Sequence, residues 1–316
     1  LNMNKFQNDM YAHLKQQFGT GESVWASSMD KLFYGECAND IKSFQQKRGF
    51  DFHRFVNKPH VASSQAACFN LFMPIMKSNY AVDVLKAVKS DIASIDYSHL
   101  ENGFAFEYWR DEPNNDGSKG LLGDHSVQAG TDADFALSYI DRKGNHCLWL
   151  VEHKLSEAEF TRCNVVHNGK HPAEEKLCPT LTVKSLIDNP QCYYSNTKHY
   201  RYWECTNKYI DSFPGLQSRT KVGCPFADGM CQLWRNVLLA RAAQEKYGYD
   251  KVFFSVVKPE GNKALNKSIK DFKTIVDADI FSVFNPSTLV EAAKSTSDEA
   301  LKAWAKWYSK TYYLPE

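Results

Sequence analysis

No apolar run in this 316-residue chain approaches the ~20 residues needed to cross a bilayer, so no membrane-spanning helix is expected. Net charge is lacking too: 38 Lys+Arg stand against 37 Asp+Glu, a formal net of +1, which by itself says nothing about nucleic acid. There is no internal repeat, low-complexity tract or Pro/Gly/Ser linker that would mark a clean domain boundary. The opening residues lack the charged and apolar regions of a signal peptide, and the expected location is cytoplasmic. The nine cysteines are an odd number, which argues against a disulfide framework in such a location, and they contain no C-x2-C knuckle. What is present is a core: 43% of residues are hydrophobic and 14% aromatic, values that exclude disorder, collagen and coiled coil.

Charge is unevenly distributed. Residues 1–150 hold 15 basic and 18 acidic side chains, whereas Ser195 to Lys273 hold 14 basic and 7 acidic. A basic surface of that size can follow a phosphate backbone, although solvated helix faces give similar excesses.

Periodicity divides the chain. Asn4 to Phe18, Ser23 to Tyr34, Ser63 to Met76 and Asn79 to Ile92 carry apolar residues at helical spacing, so the part from 1 to 98 reads as helical. From Gly103 the period becomes two, and 104–109, 134–140 and 146–155 read as strands. A Cys-rich irregular stretch over 160–231 follows, then a strong helix from Gly229 to Lys246 closed by Gly248, a strand over 251–257, and a tail of helices with a short strand near 280–284. The order predicts an α/β (α+β) core with a mixed sheet, occupying 99–316, with helix 63–76 contributing to it.

The sharpest chemical signal is Asp134 followed by Glu152 and Lys154. An acid two residues before a lysine occurs five times here, but only Glu152/Lys154 closes a continuous apolar strand, CLWLV, with a second acid at the start of the preceding strand. The link Asp141-Arg142-Lys143-Gly144-Asn145 fits a three-residue hairpin loop, a type I turn with Gly in the left-handed position. If Asp141 faces Asn145, Asp134 lies opposite Glu152, with Cβ atoms about 4.5–5.5 Å apart, and Lys154 projects from the same face. Two carboxylates that close repel unless a divalent cation binds both. A lysine beside them can orient or deprotonate an attacking water and offset charge on a phosphorane-like transition state. The bland alternative is an exposed strand end with a weak surface ion pair.

The stretch TDADFALSYIDRKGNHCLWLVEHKL at 131–155 resembles the PD-(D/E)XK nuclease superfamily, in which an acid precedes a hairpin and an acid-x-Lys triplet closes its second strand. HVASSQAACFNLFMPI, FEYW, EHKLSEAEF and GCPFADGMCQLWRN resemble a little-characterised branch of it. The resemblance, from Ser63 to Lys258, implies a restriction-endonuclease-like core with extra N- and C-terminal helices. It also implies a nuclease that cleaves DNA with Mg²⁺ or Mn²⁺, linked to restriction, defence or repair. By position Asp134 and Glu152 would bind metal and Lys154 would be the catalytic lysine. Thr131-Asp132-Ala133-Asp134 lacks the name-giving proline and leaves Asp132 a rival to Asp134, which the register favours. Some members add a further carboxylate and a Gln. Glu107 or Gln65 is the candidate for the first, and Gln232, on a stripe with Arg235 and Asn236, for the second.

Six of the nine cysteines fall between 163 and 231. If a structural zinc or iron–sulfur cluster is bound, Cys163, Cys178, Cys192 and Cys224 are the expected ligands, since they lie in irregular segments; buried free cysteines are the alternative. HYRYW at 199–203 interleaves aromatic and basic side chains as base-stacking surfaces do, or packs its Trp inward. Gln65, Arg201, Arg235 and Lys258 are the expected nucleic-acid contacts. DNA is the expected partner, no membrane is, and a homodimer is compatible. A non-catalytic nucleic-acid-binding module, or a metal-stapled interaction protein, is the competing reading.

Overall fold

The structure is a computed structural model that describes residues 3–50, 52, 59–112, 119–126, 130–217 and 223–315. In chain order its main elements are α1 (Lys5–Gln17), α2 (Ala38–Arg48), α3 (Ser64–Lys77), α4 (Ala81–Leu85), β1 (Ile92–Ile95), β2 (Phe104–Tyr108), β3 (Ala133–Asp141) and β4 (His146–His153). Short helices follow: α5 (Asn164–His167), α6 (Pro172–Leu177), α7 (Val183–Asp188), α8 (Tyr193–Asn196), α9 (Tyr202–Lys208) and α10 (Pro214–Gln217). The chain ends with α11 (Cys231–Tyr247), β5 (Lys251–Val257), α12 (Asn266–Lys273), β6 (Phe281–Phe284), α13 (Pro286–Lys294) and α14 (Glu299–Tyr312).

The strands form one six-stranded mixed sheet in the order β1-β3-β4-β5-β6, with β2 also on β3. β3 is long enough to carry two partners on one edge: β2 pairs with its N-terminal half and β1 with its C-terminal half, both antiparallel. The two meet at Ser138, whose N–H donates to Gly103 O while its carbonyl accepts from Asp96 N. Gly103 is required there. At φ +73° a Cβ would stand 2.1 Å from Ile95 Cγ2.

The β3–β4 hairpin has the expected register, Phe135 opposite Val151 through Ile140 opposite His146. Its turn is set by Asp141, which accepts from Lys143 N, Asn145 N and Asn145 Nδ2 and pairs with Lys251 Nζ at 2.6 Å, while Gly144 takes φ +84°. From β4 the sheet continues in parallel through β5 to β6. Parallel neighbours need long crossovers, and the cysteine-rich helices with α11 are the connection from β4 to β5.

Helices cover both faces. Phe72 of α3 stacks on Phe135 at 4.0 Å between centroids, whereas α11 reaches Glu152, whose row neighbour Asp134 is the residue before Phe135. Consecutive strand residues face opposite sides, so the two helices sandwich the sheet. Among the described residues no helix is long and apolar enough to cross a membrane.

Two helical expectations fail. Between Ser23 and Tyr34 the chain instead makes a bridge, Trp25 with His60, and a single 3-10 turn at Met29–Lys31. Backbone bonds from Val61 N to Val24 O and from Ala26 N to Pro59 O satisfy groups that a helix would have turned inward. The expected helix over Asn79 to Ile92 survives only as α4, because Ile92 and Ile95 enter the sheet beside β3. The helix α2 was not expected; its apolar pair Ile41 and Phe44 is buried and Gly49 closes it at φ +70°.

The Phe72/Phe135 stack ties α3 to the sheet, and both rings are fully buried. Phe72→Ala should lower unfolding free energy by about 3–5 kcal/mol, measured by denaturant melts.

Candidate active site

Three adjacent strands bring one acid each to a common row. In β2 the register of Phe106 with Phe135 and Tyr108 with Ala133 sets Glu107 beside Asp134, and continuing the β3–β4 register by one residue sets Asp134 beside Glu152. Glu107 holds this place in the left-handed region, at φ +48°. For a non-glycine residue that strain is worth about 1–3 kcal/mol, which the surrounding structure must sustain.

The row has a buried floor and an open mouth. Glu152 is 2% exposed and Lys154 7%, whereas Asp134, Glu107, Gln65 and Gln232 are partly exposed. Glu152 has three partners and one lone-pair site left on Oε2: Lys154 Nζ lies 2.9 Å from Oε1, Gln232 Nε2 donates to Oε1 at 2.7 Å, and Asn236 Nδ2 donates to Oε2 at 2.9 Å. Asp134 accepts the backbone N–H of His153 at 2.6 Å, and Gln65 Nε2, in the first turn of α3, donates to Glu107 Oε1 at 2.9 Å. Ser63 caps that turn through its side chain, which accepts from Ala66 N.

Charge does not balance here. Lys154 is held in its ammonium form: burial works against the charge, but Glu152, Glu157 and Asp134 outweigh it and raise its pKa. With all three acids ionised, one ammonium leaves the row about two charges negative. Desolvation, then Glu152 and Glu107, drive the Asp134 carboxyl well above the usual carboxylate range, against the pull of Lys154 and the His153 N–H. A divalent cation at Asp134, Glu152 and Glu107 would cancel that excess, so the donor set fits Mg²⁺ or Mn²⁺. Among the described residues the trio of metal-type side chains already drawn within 4.8 Å of one another lies elsewhere, Asp96 with His99 and His146, at the end of β4 remote from Glu152.

The structure thus brings together Asp134, Glu152, Lys154, Gln232, Glu107 and Gln65. Asp132 stands apart, 3.9 Å from His125 Nε2. The expected nucleic-acid contacts other than Gln65 do not join the row. Arg201 is bonded to Glu204 and Leu121 O, and the Tyr202 and Trp203 beside it are packed inward. Lys258 is buried with its ammonium on Asn262 O at 2.9 Å. Arg235, one position from Asn236 on α11, turns toward Tyr202 and the cysteine-rich region. Lys258 and Arg235 are thus engaged inside the protein, whereas Arg201 stays exposed beside Glu204.

Asn236, read from the sequence as part of the same stripe, lies four residues beyond Gln232, and that spacing puts both amides on one helix face. One residue escaped the sequence reading. Glu157 accepts from Leu155 N and Ser156 N and adds a fourth acid near Lys154; nothing in its spacing marks it.

Comparison with known families matches residues 29–313 to the family described as Restriction Endonuclease associating with ARP. No curated protein matches the chain, and no solved structure does.

Removing the repelled charge should stabilise the metal-free protein. A raised carboxyl favours folding only while protonated, so stability falls as pH climbs through its folded-state value, and an amide mimics the protonated form. Asp134→Asn should raise the melting temperature in EDTA by about 2–4 °C and abolish the further rise that Mn²⁺ gives the parent.

Proposed function

The chain belongs to the family described as Restriction Endonuclease associating with ARP, and from that premise we propose that it is a metal-dependent nuclease acting on DNA phosphodiester bonds. The observation that carries this reading is the acid row Glu107, Asp134, Glu152 on three neighbouring strands with Lys154 bonded to its end. Mg²⁺ or Mn²⁺ held by those acids would lower the pKa of a bound water and draw charge from a phosphoryl oxygen.

The chain's own groups have separable tasks. Gln232 and Asn236 fix both oxygens of Glu152, so its carboxylate is oriented before substrate arrives. Gln65 orients Glu107 in the same way. Lys154, kept as an ammonium by its acidic neighbours, positions the attacking water and stabilises the charge that grows on the phosphorus oxygens. The partly exposed sides of Asp134 and Glu107 are where a phosphodiester can enter.

The test is a supercoiled plasmid incubated with the protein and Mg²⁺ or Mn²⁺, beside EDTA. Lys154→Met should slow cleavage by about 10²–10³ while leaving DNA and metal affinity largely intact. Methionine keeps most of the stem volume, so misfolding does not mimic lost chemistry. Parental-rate cleavage by Lys154→Met would remove the lysine from the mechanism. A parent inactive with both metals, on DNA and on RNA, would leave a binding module on a nuclease fold.

A further inference from the structure

Three metal-type side chains converge at the end of the sheet remote from the acid row, about 20 Å from Glu152 by the length of β4. Asp96 follows β1, His99 lies in the same connection to β2, and His146 opens β4. One ligand atom from each lies within 4.8 Å of the other two. His146 Nδ1 stands 2.8 Å from Asp96 Oδ2, and His99 Nε2 stands 4.0 Å from that same oxygen. Neither the hairpin nor the acid row uses these imidazoles.

Each ligand has a support that fixes its direction. Asp96 is buried, and its other oxygen, Oδ1, accepts from the Ser98 backbone N–H at 2.8 Å and from the Ser98 hydroxyl at 2.6 Å. Oδ2 is thereby turned to the imidazoles, with the Ser138 hydroxyl donating to it at 3.2 Å. The His99 ring stacks on Tyr249, with centroids 4.1 Å apart, and its second nitrogen, Nδ1, faces Asp111 Oδ2 at 3.8 Å. Tyr249 donates its hydroxyl to the same Asp111 oxygen at 3.1 Å, so ring and carboxyl are held as a unit. A carboxyl group behind the far nitrogen of an imidazole is the support that metal-bound histidines commonly have. His146 is fixed through its backbone, whose N–H donates to Asp250 Oδ2 at 2.8 Å.

We propose that Asp96, His99 and His146 bind a zinc ion that clamps the β1–β2 connection to the start of β4. Two imidazoles and one carboxylate suit Zn²⁺, whereas Mg²⁺ prefers a set made of oxygen alone. A tetrahedral ion with bonds of about 2.0–2.2 Å sets its ligand atoms roughly 3.3 Å apart. The separations of 2.8 and 4.0 Å bracket that value, so small side-chain rotations close the three on an ion. The ion replaces the proton that His146 Nδ1 donates to Asp96, and that proton leaves to water. With three protein ligands a water completes the tetrahedron, and the His146 side chain, 42% exposed, gives it access. β1 and β2 share one edge of β3, and the ion would join the loop between them to the strand on the other edge. The acid row takes no part, and the inference stands apart from the nuclease reading.

The experiment is titration of the EDTA-stripped full chain with Zn²⁺ and with Co²⁺, read by calorimetry, absorption and thermal melts. Asp134→Asn, whose acid row is disabled, should still bind one Zn²⁺ per chain and melt several degrees higher with it. His99→Phe keeps a ring on Tyr249, and His146→Ala empties no core position, so both should fold, as circular dichroism of the metal-free variants checks. In the Asp134→Asn background each should weaken Zn²⁺ binding beyond the roughly 10–100-fold that loss of a supporting group costs, and lose the zinc-dependent rise in melting temperature. Cobalt should give the visible bands of a tetrahedral nitrogen–oxygen site without the near-ultraviolet charge-transfer band of a thiolate ligand, which separates this site from the cysteines. Zinc affinity retained by both histidine variants, a thiolate band at one equivalent of cobalt, or a folded parent that binds no zinc overturns the proposal.

Discussion

The Glu152 carboxylate, buried at the end of β4 and tied to Lys154, Gln232 and Asn236, is the interaction on which the rest of this structure depends. A carboxylate at 2% exposure persists only when polar partners replace the water it has lost, and here two amides and one ammonium do so. The requirement fixes α11 on the sheet, because both amides lie on that helix. It also explains why a helix with an apolar face against β4 and β5 carries Gln and Asn among its buried leucines and alanines.

Stability and chemistry pull in opposite directions along the acid row. Glu107 is kept in a backbone conformation that its side chain disfavours, and the Asp134 carboxyl resists ionisation because of its burial and its acidic neighbours. Both penalties fall on residues that can face a cation, and two acids at the opposite end of the sheet show the reverse. There Asp141 is held well below the usual carboxylate range by Asn145 and then Lys251, and Asp96 down to about 2, against its own burial, by Ser98 and His146. Strain and charge repulsion that meet in one row of acids are the pattern expected where binding supplies the compensating interaction.

The crossover from β4 to β5 solves a different problem. Its helices are mostly one or two turns long and too short to be stable alone, so they need either a shared core or a staple. Trp203, Phe226 and Trp234 supply the core, with Phe226 and Trp234 stacked at 4.4 Å.

How much was legible follows from how local each determinant is. The β3–β4 hairpin could be read residue by residue, because Asp141 and Gly144 fix the turn and the period of two then carries the register to Asp134 and Glu152. Gln232 and Asn236 were visible as a polar stripe for the same reason. The short strand β1 was not, since Ile92 and Ile95 have a spacing that suits a helix as well, and only the free upper edge of β3 selects the strand. Nor could composition show that Lys258 and Arg235 turn inward, because a lysine or arginine finds buried acceptors only after loops and helices distant in sequence have closed around it. Local pattern determined the hairpin and the identity of its acids. Long-range packing alone decided that Glu107 joins them, through a left-handed residue on a strand whose position β3 dictates.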